Sequence, residues 1–199
     1  MYNNPLTMKN SIYLQQVGEL DRSILRILKK TLKWTLKKFN ISIEIVDNAI
    51  PLTEVQYNPM KKQYNADLIM QSLFTSSKKE NCYRILGVLD HDIYASRFNF
   101  IFGSAKNPAK VYFPYSPVAL ISVIRLREEF YGLVKDQALF ELRVLKEALH
   151  ELGHTFGLIH CEKECVMYFS NSIEDTDRKP PKFCEQCKVK LERFFQASS

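Results

Sequence analysis

Residues 150–160 read HELGHTFGLIH, and this stretch constrains the chain more than any other. On a helix, residues four apart project from one face, so His150 and His154 aim at a common point. Glu151 is displaced by about 100° around the axis, close to that point without lying on it. Gly157 comes where the helix must stop if His160 is to reach the same point from another direction. Glycine accepts a positive φ at little cost, which permits the sharp turn. The chain has only 4 histidines, and three of them take these positions. Isolated surface histidines would not fall into one extended pattern. Three neutral imidazoles plus one water make the open tetrahedral set that hydrolytic zinc requires. With His150, His154 and His160 as ligands, Glu151 is the candidate catalytic residue. It takes a proton from the attacking water and passes it to the leaving amine. The remaining histidine, His91 between Asp90 and Asp92, reads as a polar loop residue.

The cysteines form a second pattern. Of 5 in the chain, Cys161, Cys165, Cys184 and Cys187 crowd into the last 39 residues as CxxxC and CxxC. Four thiolates at such spacings suit a closed structural zinc. Two disulfides or unconnected thiols are the alternative. Cys82 stands alone and reads as a small buried hydrophobe. The expected cofactors are therefore two Zn2+ per chain, one catalytic and one structural. His160 and Cys161 are consecutive, so ligands of different ions sit only ~3.8 Å apart along the backbone.

Around these patterns the chain alternates strands and helices. Strands are expected at 11–17, 41–46, 84–89, 98–102, 111–115 and 119–125. Asp21 caps a helix running to about Lys38, and a second helix spans 65–74. Asp136 caps the long active-site helix, which reaches about Phe156 with Leu139, Leu142, Leu145, Leu149, Leu152 and Phe156 at helical spacing. A closing helix covers about 185–195. Pro51 and Pro59 bracket a loop, residues 103–110 read as turns, and residues 171–182 read as a solvated loop. The fold class is α/β or α+β, a mixed twisted sheet with helices.

A hydrophobic content of 46% with 25% charged residues is ordinary for one buried core. No apolar run reaches the ~18–20 residues that cross a bilayer, and the first ten residues lack a signal pattern, so no membrane partner and a cytoplasmic location are expected. The formal charge of +6 is concentrated between Arg22 and Lys38. There Arg22, Arg26, Lys29, Lys30, Lys33, Lys37 and Lys38 alternate with Leu25, Ile27, Leu28, Leu32, Trp34, Leu36 and Phe39, as on a surface helix. No specific nucleic-acid motif accompanies the charge.

In His150, Glu151, His154, Gly157, His160, Cys161, Cys165, Met167, Cys184 and Cys187, in this order, the chain resembles the archaemetzincins, a branch of the metzincin zinc metallopeptidases. Three residues separate Cys161 from Cys165 and sixteen separate Met167 from Cys184, each one fewer than the family's usual spacing. Residues 85–88 with Asp90, Asp92 and Ile93, then 98–103 and 124–132, resemble family segments more weakly. The resemblance implies a metzincin-like fold, with an upper subdomain over 1–157 that includes the active-site helix. A small lower subdomain over 158–199 is stapled by the four-cysteine zinc. It also implies that Met167 is the Met-turn methionine beneath the histidines, Gly157 the hinge glycine, and a peptide or protein the substrate. Residues 119–124 are the candidate cleft-edge strand, and a monomer is favoured. The rival reading is a zinc-stabilised binding module with a vestigial histidine site; an intact Glu151 favours the enzyme.

Overall fold

The computed structural model describes residues 11–79, 83–105 and 118–197. Among the described residues the main sheet has five strands: β1 (Ser11–Gln16), β2 (Ser42–Ile45), β5 (Arg84–Leu89), β7 (Gly103–Ala105) and β8 (Val118–Ser122). They lie in the order β2-β1-β5-β8-β7, parallel except for β7, which runs antiparallel to β8 on one edge. A second, three-stranded sheet is formed by β3 (Tyr57–Asn58), β4 (Gln63–Asn65) and β6 (Ile93–Tyr94).

Helices cover both faces of the main sheet, which is why β5 and β8 are apolar at nearly every position and buried throughout. Alternation along β5 sends Ile85 and Leu89 to α2 (Ala66–Lys79), where they meet Ile69, Met70 and Leu73. Leu86 and Val88 point the other way, into the core shared by α1 (Arg22–Thr35) and α3 (Gln137–Thr155). Asp21 caps α1 by accepting from Ser23 N–H, and Asp136 caps α3 by accepting from Leu139 N–H. After α3 come α4 (Ile173–Arg178) and α5 (Glu185–Ala197). Among the described residues no helix is long and apolar enough to cross a membrane.

Several sequence expectations are corrected. Residues 98–102 form no strand: this aromatic run crosses from the small sheet to the large one, and the strand begins at Gly103, where turns were expected. Residues 119–124 are no edge. β8 lies between β5 and β7, and after Ser122 the chain winds into a 3-10 turn over Ile124–Leu126. The 51–59 loop contains a 3-10 turn, Glu54–Gln56, and the strand β3. Residues 171–182 are no solvated loop, because α4 lies there with Thr176 and Lys179 buried. In α1 the buried stripe is Ile24, Leu25, Leu28 and Leu32, and Trp34, two positions past it, is 81% exposed. In α3, Leu142 is exposed and the core contacts come from Phe140, Val144, Ala148, Leu149 and Leu152. The expected strand at 111–115 and Cys82 lie outside the described residues.

Candidate active site

The polar face of α3 builds the site. Arg143, Lys146, Glu147, His150 and Glu151 are all buried, at the i, i+3, i+4 spacing that keeps side chains on one face. α3 ends in a Schellman turn: Leu158 N–H donates to Gly153 C=O at 3.0 Å and Gly157 N–H to His154 C=O at 3.0 Å, with Gly157 at φ 85°. That turn frees the Leu158 carbonyl to face back along the helix. His154 Nδ1 lies 2.9 Å from it, and His150 Nδ1 lies 2.9 Å from the Val166 carbonyl. Carbonyl oxygens only accept, so each Nδ1 carries the proton and each Nε2 keeps its lone pair.

The two Nε2 atoms are 3.1 Å apart, with no proton to place between them. Two imidazoles on a tetrahedral zinc, at about 2.0–2.1 Å each, bring their nitrogens to about 3.3 Å, close to what is found. His160 completes the group, and the three donor atoms lie within 4.8 Å of one another. Its ring stacks on His150 at 5.3 Å and rests against Phe169 at 4.9 Å. Burial first, then the charge of Lys179, hold the His150 pKa well below the ordinary histidine value. The ring is therefore neutral, as a ligand must be. The donor set fits zinc.

Glu151 sits beside these rings and is itself buried. Burial, and next the Glu147 carboxylate, raise its pKa well above the usual value, against the opposing charge of Lys179. Its carboxylate packs on the edge strand at Gly103. A Cβ at that position would lie 2.6 Å from Glu151 Cγ and 2.7 Å from Oε1. The Gly103→Ala variant is expected to displace the carboxylate and lower kcat by about 10- to 100-fold with zinc retained. Steady-state kinetics with metal analysis checks this; an unchanged kcat would show that Gly103 does not set the position of Glu151.

A cleft of about 240 Å³ opens over the histidines. Phe98, Phe100 and Phe102 line one side of it, and Ser170, Asn171 and Lys179 also line it. Met167 is fully buried, and a Cβ added at Gly153, between the two helical histidines, would collide with its sulfur. Met167 C=O accepts from Cys161 N–H at 3.0 Å.

The four cysteines meet next to this turn. All are free thiols, and their sulfurs lie within 4.8 Å of one another. Cys161 Sγ and Cys184 Sγ are 3.8 Å apart, far beyond a disulfide and equal to the edge of a zinc–thiolate tetrahedron with ~2.3 Å bonds. Burial raises the Cys184 pKa, but hydrogen bonds from the Cys187 backbone and the neighbouring thiols outweigh it and bring it to about 7. Burial moves Cys165 and Cys187 the other way, raising both thiols. Among the described residues His91 joins neither group.

Sequence reasoning passed over Gly103, Glu147, Lys179, Arg143 and Lys146. Arg143 forms a two-pronged pair with Asp177, at 2.7 and 2.6 Å, and meets Glu128 at 2.6 Å. Lys146 donates to the carbonyls of Thr176 and Asp177. Lys179 pairs with Glu147 at 2.8 Å. These contacts dock α4 beneath α3. For the residues on α3 a signal was present: Arg143, Lys146 and Glu147 continue the spacing of His150, Glu151 and His154 toward the N-terminus.

Comparison with known proteins places these features in a family. The sequence profile of peptidase family M54 matches residues 20–193. An archaemetzincin of Methanocaldococcus jannaschii is 42% identical over 188 residues, which is 94% of this chain and 96% of that protein. The crystal structure of an archaemetzincin from Archaeoglobus fulgidus, complexed with malonate, superposes with a TM-score of 0.74 at 36% identity, covering 90% of this chain and 99% of that one. A zinc-dependent peptidase from Methanocorpusculum labreanum superposes with a TM-score of 0.77 at 29% identity, again over 90% and 99%.

Proposed function

The chain belongs to peptidase family M54, the archaemetzincins, and is a metallopeptidase; we propose that it cleaves peptide bonds with zinc held by His150, His154 and His160 and with Glu151 as the proton-transfer group. The observation that carries this reading is the pair of Nε2 lone pairs at 3.1 Å, fixed there by carbonyl acceptors behind each ring. Bound zinc supplies a water acidified toward neutrality and a Lewis acid for the substrate carbonyl.

The chain's own residues do the remainder. Val166 C=O and Leu158 C=O fix the tautomer and tilt of His150 and His154. Glu151 accepts a proton at a carboxylate oxygen as water adds to the peptide carbon, then delivers it to the departing nitrogen. Its buried surroundings raise its affinity for that proton, so one carboxylate serves as base and then as acid. Gly103 leaves room for that carboxylate at the sheet edge. In the same reading Cys161, Cys165, Cys184 and Cys187 hold a second, structural zinc; Met167 supports the histidines from beneath, and Gly157 turns the chain so that His160 reaches the ion.

The test is metal removal. Turnover of a peptide library by purified zinc-loaded protein is expected to vanish on chelation and return with one equivalent of zinc at the histidine site. Cleavage that persists after the histidine site has been stripped would overturn the reading.

A further inference from the structure

The cleft wall beside Glu151 holds a cation that neither belongs to the histidine group nor carries the proton. Lys179 follows α4, and its side chain is only 1% exposed, yet it lines the cleft together with His150 and Glu151. Both neighbours feel its charge. Its Nζ lies 2.8 Å from Glu147 Oε1, but among the described residues it makes no aligned hydrogen bond. An ammonium carries three N–H donors, so at least two remain unused.

The neighbouring cations are in a different state. Arg143 is held by Asp177, Glu128 and the Leu126 carbonyl, and Lys146 by two backbone carbonyls. Neither lines the cleft. The Glu147 carboxylate is already shared, because it also accepts from Thr176 Oγ1 at 3.1 Å. Burying an ammonium with idle donors costs free energy that an acceptor entering the cleft restores. A carbonyl or water fills a donor; a carboxylate fills it and also answers the charge. Among the described residues Glu147 is the carboxylate within ion-pair distance of Lys179, and Thr176 shares it, so an incoming carboxylate meets an ammonium whose donors are open.

We propose that Lys179 forms a carboxylate-accepting subsite in the cleft wall, which selects peptides carrying a carboxylate beside the bond that is cut. The carboxylate comes from an acidic side chain or from a free C-terminus. The proposal rests on the peptidase reading for the ligand being a peptide. Glu147 is then the group that holds the ammonium in place and competes with the ligand for it.

The test separates binding from turnover. Zinc-loaded protein carrying Glu151→Gln is titrated calorimetrically with matched short peptides, Glu against Gln at each position, and free acid against C-terminal amide. At one position, or at the C-terminus, the acidic member is expected to bind about tenfold tighter or more. Adding Lys179→Met should bring that ratio to near one. Adding Glu147→Gln, which keeps the lysine and removes its competitor, should raise the ratio; this variant decides the matter if Lys179→Met does not fold. A parent ratio near one, or a ratio that stays constant while all affinities fall together, would overturn the subsite and leave Lys179 a structural ion pair. Acid-selective binding, together with no cleavage of any peptide by the zinc-loaded protein that keeps Glu151, would sink the peptidase reading and leave the subsite standing. Turnover without acid selectivity would do the reverse.

Discussion

Replacing Glu151 by Gln is expected to lower peptide turnover on the order of a thousandfold while zinc content stays at the level of the parent protein. Gln keeps the shape and reach of the side chain and loses its basicity and its charge. The effect is large because of where the carboxylate sits. Burial and Glu147 raise its proton affinity, Lys179 lowers it, and a dication on the histidines adds to the lowering side. A carboxylate with raised proton affinity can take the proton from water and then serve as the acid toward the departing nitrogen. Steady-state kinetics on a peptide the parent cleaves, with metal analysis of both proteins, decides the point. Equal turnover by the two would remove Glu151 from the reaction.

The second large effect is expected at the cysteines. Cys161 follows His160 directly, and its N–H donates to the Met167 carbonyl at 3.0 Å. Cys165 precedes Val166, whose carbonyl receives Nδ1 of His150. In the proposed reading the sulfur cluster thus holds one zinc ligand through the backbone and orients another through a hydrogen bond. Replacing Cys184 or Cys187 by Ser should release the structural zinc and cost about 3 kcal/mol or more, which lowers Tm by roughly 6–12 °C for a chain of this length. Zinc affinity at the histidines should fall by about 10- to 100-fold, as when other supporting groups are lost. Calorimetric melting and competitive zinc titration measure the two effects separately. A variant that has lost the cysteine-bound zinc and keeps parental affinity at the histidines would show the two centres to be independent.

Much of the fold was legible in the sequence. Alternation, caps and length placed β1, β2, β5 and the bounds of α1 and α3 close to where they lie, because each signal is local. Residues 98–102 failed for a tertiary reason. FNFIF has strand composition, but its aromatics serve the cleft wall and the core, and the neighbouring Gly103–Ala105 pairs with β8 instead. The glycine that reads as a turn is needed there for the close approach of Glu151, which no local pattern announces. On α3 the sequence reading followed the leucines and left the charged residues without a place. Arg143, Lys146 and Glu147 are buried because α4, itself mistaken for a solvated loop, brings Asp177, two carbonyls and Lys179 to meet them. The α3 residues keep a helical spacing, but their partners 30 or more positions away leave no periodic trace. The two clusters of histidines and cysteines were legible because side chains that converge on one point must recur at spacings the backbone can close.

Zinc-edge anomalous diffraction from a crystal of the active protein tests the central claim most directly. The account predicts two peaks, one equidistant from Nε2 of His150 and His154 and bound by His160, with Glu151 beside it, the other amid the four sulfurs. A crystal of protein that cleaves peptides, with a peak at the cysteines only and the three imidazoles turned apart, would contradict it.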